Sequence, residues 1–90
     1  MMKTRMLIAA ALLLVPSLAL ADAKCVANPK AEWKSEAQAR AKFVGEGYKI
    51  SKFKVSGDCY EIYGFDRNGK KVEIYFDTKT LKVVKQETDD

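Results

Sequence analysis

The spacing of apolar residues changes twice along the chain. Met6 to Val15 is an unbroken apolar run. Residues 35–46 then carry apolar positions at helical spacing, and from Tyr48 onward apolar and polar residues alternate with a period of two. Such alternation is typical of strands that are buried on one face. The pattern predicts an α+β domain, with one main helix packed on a three- or four-stranded antiparallel sheet, after an apolar leader.

The leader has the three-part layout of a secretory signal peptide. Lys3 and Arg5 precede the apolar run, Pro16 ends it, and small residues follow. A membrane-spanning helix is the alternative, but spanning takes about 20 apolar residues, roughly twice the length of this run. We expect cleavage after Ala21, with a second option after Ala23.

Removal of residues 1–21 would leave residues 22–90 as a single exported domain. Its net charge would be +2, because Lys3 and Arg5 carry two of the four net positive charges of the full chain. A chain of this length has room for one hydrophobic core. We expect a periplasmic or secreted protein without a stable membrane anchor after cleavage. The chain contains no His, which excludes a Ser–His–Asp triad and His-based metal sites, and we expect no metal or cofactor.

Cys25 and Cys59 are the two cysteines of the chain. An oxidising compartment favours a disulfide between them. The bridge would close a loop of about 35 residues, which corresponds to roughly 4 kcal/mol of loop entropy. A redox-active or metal-binding pair is the alternative, but the sequence has neither C-x-x-C spacing nor other soft ligands. We therefore predict a structural disulfide.

The helix has a clear start signal. Ser35 and Gln38 have the spacing of a capping box. Gly45 and Gly47 favour the end of the helix near residue 46. A start at Pro29 with Asn28 as its cap is the alternative. We prefer Ser35, which leaves an irregular segment before the helix. The apolar stripe predicted to face the sheet is thin, and it consists of Ala37, Ala41 and Val44, with Phe43 alongside.

The first hairpin turn sets the register of the first two strands. Gly57-Asp58 is a two-residue hairpin signal. It would place apolar residues opposite apolar residues and Lys54 opposite Glu61. A change of phase near Ser51-Lys52 predicts a β-bulge in the first strand.

The second turn, Asp66-Arg67-Asn68-Gly69, allows two registers. A two-residue loop would put Glu61 on the same face as Ile74, and burying an unpaired carboxylate costs several kcal/mol. A three-residue loop with Gly69 in the left-handed conformation instead pairs Ile62 with Ile74. We therefore predict the three-residue loop. The core face would then consist of Phe53, Val55, Tyr60, Ile62, Val72, Ile74 and Phe76.

The opposite sheet face would combine aromatic and charged residues. Aromatic side chains supply contact area at low entropic cost, so this face is a candidate binding surface. A solvated face, stabilised by cross-strand pairs such as Tyr63 with Glu73, is the alternative. In either case we expect the side chains to point into water. The candidate binding residues are Glu61, Tyr63, Phe65, Glu73 and Tyr75.

Several segments together resemble a known family. The segments are Trp33 before a short helix, Gly47-Tyr48-Lys49-Ile50, Cys59-Tyr60-Glu61-Ile62-Tyr63, and the stretch from Asn68 to Asp77. In this combination they resemble the PepSY domain, in its small stand-alone periplasmic form. The resemblance covers about residues 30–84.

The last turn departs from the family pattern. Where PepSY domains usually continue Asp-Pro-x-Thr-Gly, this chain reads Asp77-Thr78-Lys79-Thr80-Leu81, so the resemblance does not fix the geometry of this turn. We expect a short final strand over about Leu81 to Val84 and a charged, frayed tail from Gln86 to Asp90.

The resemblance implies an inhibitory or regulatory role toward peptidases, and it brings no catalytic residues. With the leader, it predicts a non-catalytic binding module whose partner is an exported peptidase or another envelope protein. A small-ligand or environmental sensor is the alternative, and it would need a pocket between helix and strands. Catalysis by Glu61 and Glu73 is conceivable, but nothing in the sequence indicates the desolvation that raises a carboxyl pKa. Lysines and glutamates interleave without a basic stripe, so we expect no nucleic-acid binding.

Overall fold

The structure, a computed structural model, describes residues 23–89. The predicted signal peptide lies outside these residues. Within this part of the chain, four strands form one antiparallel sheet in which each strand pairs with its neighbour in sequence, so the predicted α+β architecture is confirmed. In chain order the elements are a 3₁₀ turn at Lys30–Glu32, helix α1 at Glu36–Gly45, and strands β1 at Lys49–Ser56, β2 at Cys59–Phe65, β3 at Lys71–Asp77 and β4 at Val83–Thr88.

Helix α1 begins at the predicted capping box. The Ser35 hydroxyl accepts a hydrogen bond from the Gln38 backbone N–H, and the Ser35 N–H donates to the Gln38 side chain, which satisfies two free donors at the helix start. The chain leaves the helix through Gly47, whose φ is 99°. Nearby, the Arg67 guanidinium donates to the Glu46 carbonyl oxygen over 2.7 Å. This contact ties the helix end to the β2–β3 loop.

The helix buries a different face from the predicted one. Ala39 and Phe43, one turn apart, are buried. Phe43 sets the orientation, because it is the largest apolar side chain of α1 and its ring centroid lies 4.5 Å from that of Phe76. The residues of the predicted stripe are exposed, namely Ala37, Ala41 and Val44.

The register of the first hairpin is as predicted. Gly57-Asp58 joins β1 to β2 and places Lys54 opposite Glu61. The pairing shifts between Ile50 and Lys52, which confirms the predicted bulge.

The register of the second hairpin is also confirmed. Ile62 lies opposite Ile74, and Tyr60 lies opposite Phe76. Gly69 has a φ of 83° and closes the three-residue loop. All four paired residues are buried, so this register gives the sheet its apolar face.

The core lies between α1 and one face of the sheet. Val55, which was predicted to belong to it, is 53% exposed. Val55 lies near the end of β1, an edge strand, and therefore has a neighbouring strand on one side only. The core residues are Ala39, Phe43, Tyr60, Ile62, Val72, Ile74, Phe76 and Leu81, with Trp33, Tyr48, Ile50 and Phe53 packed against them.

Strand β4 begins later and ends later than predicted. Leu81 was expected to start the strand, but it has a φ of 65° and is buried. The chain therefore turns at Leu81, and β4 runs over Val83–Thr88. Within the tail that we expected to be frayed, Gln86 to Thr88 pair with β3 instead, and the Asp89 N–H donates to the Lys71 carbonyl oxygen over 2.9 Å.

The N-terminal segment, residues 23–34, is irregular apart from its 3₁₀ turn. The predicted disulfide between Cys25 and Cys59 is confirmed, and it joins this segment to β2. The Trp33 ring packs edge-on against Tyr60, with the two centroids 5.3 Å apart. The alternative helix start at Asn28-Pro29 therefore yields only the short 3₁₀ turn at Lys30–Glu32. After this turn, Trp33 packs against the core.

Candidate functional site

The sheet face opposite α1, here called the outer face, gathers the predicted site residues. On the paired strands β2 and β3, Glu61 lies opposite Tyr75, and Tyr63 lies opposite Glu73. These four residues form what we call the carboxylate–tyrosine cluster. The side-chain alternation of the two strands places the cluster on one face, while the residues between them enter the core.

The exposure of this cluster differs from the prediction. Glu61 is 1% exposed and Tyr75 is 4% exposed, whereas Tyr63 and Glu73 are half-buried. The expectation that all four side chains point into water is therefore wrong for Glu61 and Tyr75. Both lie on central strands, where side chains of neighbouring strands on either side cover them.

Phe65 lies at the rim of the cluster. It is the last residue of β2 and is 36% exposed. Together with Tyr63 and Lys71 it lines a cavity of about 220 Å³. The structure thus brings the four cluster residues into contact range of one another and leaves Phe65 as an exposed aromatic beside them.

Glu61 is a buried carboxylate that lacks full pairing. Its Oε2 atom has no hydrogen-bond partner, and the Lys54 ammonium lies 3.9 Å from Oε1. Burial raises the pKa of the Glu61 carboxyl, and its interaction with the Glu73 side chain raises it further. The structure thus shows a desolvated carboxyl at Glu61, which the sequence did not indicate.

Glu73 has the opposite environment. The Tyr75 hydroxyl donates to its Oε2 over 2.9 Å. The interaction with Glu61 is the main reason that the pKa of the Glu73 carboxyl is lowered. The neighbouring lysine Lys85 acts in the same direction. The pKa values of the two carboxyls of the cluster are thus shifted in opposite directions.

The two tyrosines of the cluster remain neutral hydrogen-bond donors at physiological pH. The hydrogen bond with Glu61 is the main cause that raises the pKa of Tyr63 to about 12. Burial raises the pKa of the Tyr75 hydroxyl. In addition, the Lys52 and Lys54 ammonium groups each lie 5.8 Å from the centre of the Tyr63 ring, which is within the range of a cation–π contact.

Strand β4 contributes outer-face residues that sequence reasoning missed. Lys85 lies opposite Tyr75, and Glu87 lies opposite Glu73. Glu87 was assigned to the frayed tail and Lys85 was left outside the predicted strand, because residues 85–89 contain no apolar side chain that would signal a strand. A cavity of about 240 Å³ is lined by Tyr63, Lys71, Val72, Glu73, Glu87 and Asp89.

A third cavity, of about 460 Å³, lies beside the β2–β3 loop and includes Gly47 and Phe65. None of these three cavities is lined by a residue of α1, so the helix–strand pocket needed by a sensor is not among them. Within residues 23–89, no group of three or more acidic, Cys or His residues is placed to hold a metal ion. The helices of that same part are all too short or too polar to cross a membrane.

Comparison with protein families identifies the domain. The family model described as "Peptidase propeptide and YPEB domain" matches residues 5–87. This chain belongs to the PepSY family. PepSY domains are generally propeptide-like or regulatory modules rather than catalysts, and they are typically extracellular or periplasmic. The disulfide fits such an oxidising compartment. Comparisons with curated proteins and with solved structures gave no match.

Proposed function

We propose that this PepSY chain is exported and acts as a non-catalytic regulatory module that binds a peptidase of the cell envelope and modulates its activity. The observation that carries the proposal is the outer face. Helix α1 packs on the other side of the sheet, so Tyr63, Phe65 and Glu73 remain at least partly accessible. Family membership supports the regulatory role, since PepSY domains are generally propeptide-like or regulatory modules.

The outer face divides its residues into two roles. Tyr63 and Phe65 offer aromatic contact area, which contributes strongly to protein interfaces. Glu61 and Tyr75 are buried and cannot form contacts of this kind. Tyr75 instead holds the Glu73 carboxylate through its hydroxyl. We therefore assign partner contact to Tyr63, Phe65 and Glu73 and assign positioning to the two buried residues.

The leader and the disulfide support the exported location. Lys3 and Arg5 before an apolar run are typical of a signal peptide. The Cys25–Cys59 bridge needs an oxidising compartment in order to persist. An envelope peptidase would therefore meet the folded, disulfide-bonded domain.

The test is capture of the partner with three immobilised baits. The baits are the wild type, a Tyr63→Ala/Phe65→Ala variant of the outer face, and a Val44→Ala control on the exposed side of α1. We expect the wild type and the control to recover the same peptidase from an envelope extract, and the outer-face variant to lose it.

A functional readout completes this test. The activity of the recovered peptidase is measured while increasing amounts of each protein are added. We expect a dose-dependent change with the wild type and the control and none with the outer-face variant. Equal recovery by all three baits would exclude the outer face as the docking site, and unchanged peptidase activity would contradict the regulatory role.

A further inference from the structure

The buried Oε2 atom of Glu61 has no hydrogen-bond partner, although the side chain is almost fully enclosed. A buried carboxylate oxygen without a donor is costly, because the loss of hydration is not compensated. The outer face must therefore either tolerate this cost or supply a proton at this position.

The neighbouring groups do not supply that proton. From β1, the Lys54 ammonium lies 3.9 Å from the other carboxylate oxygen, Oε1. From β3, Tyr75 has one hydroxyl proton, and it is donated to Glu73. From β2 itself, Tyr63 also has one hydroxyl proton, and its hydrogen bond with Glu61 still leaves Oε2 without a partner.

On β4, Glu87 lies opposite Glu73, and its carboxylate is 3.5 Å from the Lys85 ammonium. Lys85, on β4, interacts favourably with the Glu73 carboxylate, as does the Tyr75 hydroxyl. Glu73 is therefore the member of the pair whose ionised form is stabilised. Glu61 is the more deeply buried member, and the loss of hydration outweighs its contacts and raises its pKa.

We infer that Glu61 and Glu73 share a single proton in the folded protein, with Glu61 as the acid and Glu73 as the acceptor, and that this pair makes the outer face sensitive to pH. The carboxylic acid of Glu61 donates its O–H to the Glu73 carboxylate, which gives Oε2 the partner that it otherwise lacks. Loss of the proton leaves two negative charges on adjacent central strands. The inference concerns the free domain and does not depend on the proposed peptidase partner.

The sign of the pH dependence follows from the two pKa shifts. The pKa of Glu61 is raised, so its contribution to stability is present below the pKa of an unfolded glutamate and is lost as pH rises through the folded value. The pKa of Glu73 is lowered, so its contribution is present above the unfolded value and is lost as pH falls through the folded value. Together they predict greatest stabilisation near the ordinary glutamate pKa, where the folded pair holds one proton.

The direct test is an NMR titration of the side-chain carboxyl carbons in the disulfide-bonded wild type. We expect Glu61 to titrate above the ordinary glutamate pKa and Glu73 below it. An ordinary or lowered pKa for Glu61 would overturn the inference. This experiment uses no variant, so it remains decisive if substitutions in the cluster prevent folding.

The second test measures urea unfolding between about pH 3 and pH 8. For the wild type, the unfolding equilibrium constant should rise toward neutral pH by up to about tenfold for each unit by which the Glu61 pKa is raised. In Glu61→Gln, the amide can donate to Glu73 without titrating, so this rise should disappear. The control is Glu36→Gln, which removes an exposed carboxylate paired with Arg40 and should keep the wild-type profile. Persistence of the full rise in Glu61→Gln would refute the shared proton.

Discussion

The Asn28 side-chain amide donates to Oδ1 of Asp77, 3.0 Å away, although the two residues are 49 positions apart in sequence. The same oxygen accepts the backbone N–H groups of Lys79 and Thr80 at 2.8 and 2.9 Å. One carboxylate oxygen therefore shapes the β3–β4 turn and attaches the N-terminal segment to it.

Replacement of Asp77 should therefore be costly. Asp77→Ala removes an acceptor shared by three donors, and hydrogen bonds to a charged group contribute about 1.5–3 kcal/mol each. We expect the free energy of unfolding to fall by about 3 kcal/mol, measured by urea denaturation at pH 7. Asp58→Ala, in the exposed β1–β2 turn, is the matched control and should change it by less than about 0.5 kcal/mol. Similar losses in both variants would contradict the role assigned to Asp77.

The Asp77 carboxylate should also make the stability of the domain depend on pH in the acidic range. The Thr80 backbone N–H is the main cause that lowers the pKa of Asp77. Its stabilisation is thus present above the pKa of an unfolded aspartate, about 3.9, and is lost as pH falls through the lower folded value. The difference in unfolding free energy between wild type and Asp77→Ala should shrink as pH is lowered from about 5 to 2. A difference that stays constant over this range would show that the ionised form is not the stabilising one.

Gly64 is placed where a side chain cannot fit. A Cβ atom added there would overlap the Lys49 carbonyl oxygen, next to the β1 bulge. Because the obstacle is backbone, Gly64→Ala must push the edge strand away, and we expect a loss of about 3 kcal/mol or more in unfolding free energy. Gly45→Ala is the control, since an added Cβ meets nothing within 4 Å there. In the last turn of α1 that change should be neutral or stabilise by up to about 1 kcal/mol. Equal behaviour of the two variants would argue against the close strand approach.

The disulfide should supply a large share of the stability of so small a domain. Cys25 and Cys59 are 34 positions apart, and the loop entropy that their bond removes from the unfolded chain corresponds to about 4 kcal/mol. We expect a Cys25→Ser/Cys59→Ser variant to lose stability on that scale in urea denaturation. Reductant should lower the wild type to the level of the variant and leave the variant unchanged. An unchanged wild-type midpoint under reductant would mean that the bridge is not a stabilising element.

The register of the sheet could be predicted from the sequence because each wrong register carries a visible penalty. Shifting the second hairpin would have moved Glu61 to the side of Ile74, and the glycine at position 69 fits the loop that avoids this. The paired partners in both hairpins therefore follow from local turn chemistry and alternation. The same holds for the Ser35 cap, which is set by two residues within one helical turn.

The degree to which the outer-face side chains are buried could not be predicted in this way. Alternation assigns Glu61 to a face but does not tell how far neighbouring strands enclose it. For Tyr75 the enclosure depends on β4, in which the residues from Lys85 to Thr88 pair with β3 and include no apolar side chain. The buried face of α1 was missed for a related reason. Alanines at positions 37, 39 and 41 are compatible with more than one buried face, and the packing of Phe43 against Phe76 decides between them.

The strand order carries a consequence for how the domain folds. Every strand pairs with the one before or after it in sequence, so the sheet can grow one hairpin at a time, and such local contacts favour fast folding. The N-terminal segment is held by longer-range ties, among them the bond between Cys25 and Cys59. In a translocated chain we expect the meander to assemble first, and thiol oxidation then to fasten the leading segment onto a surface that already exists.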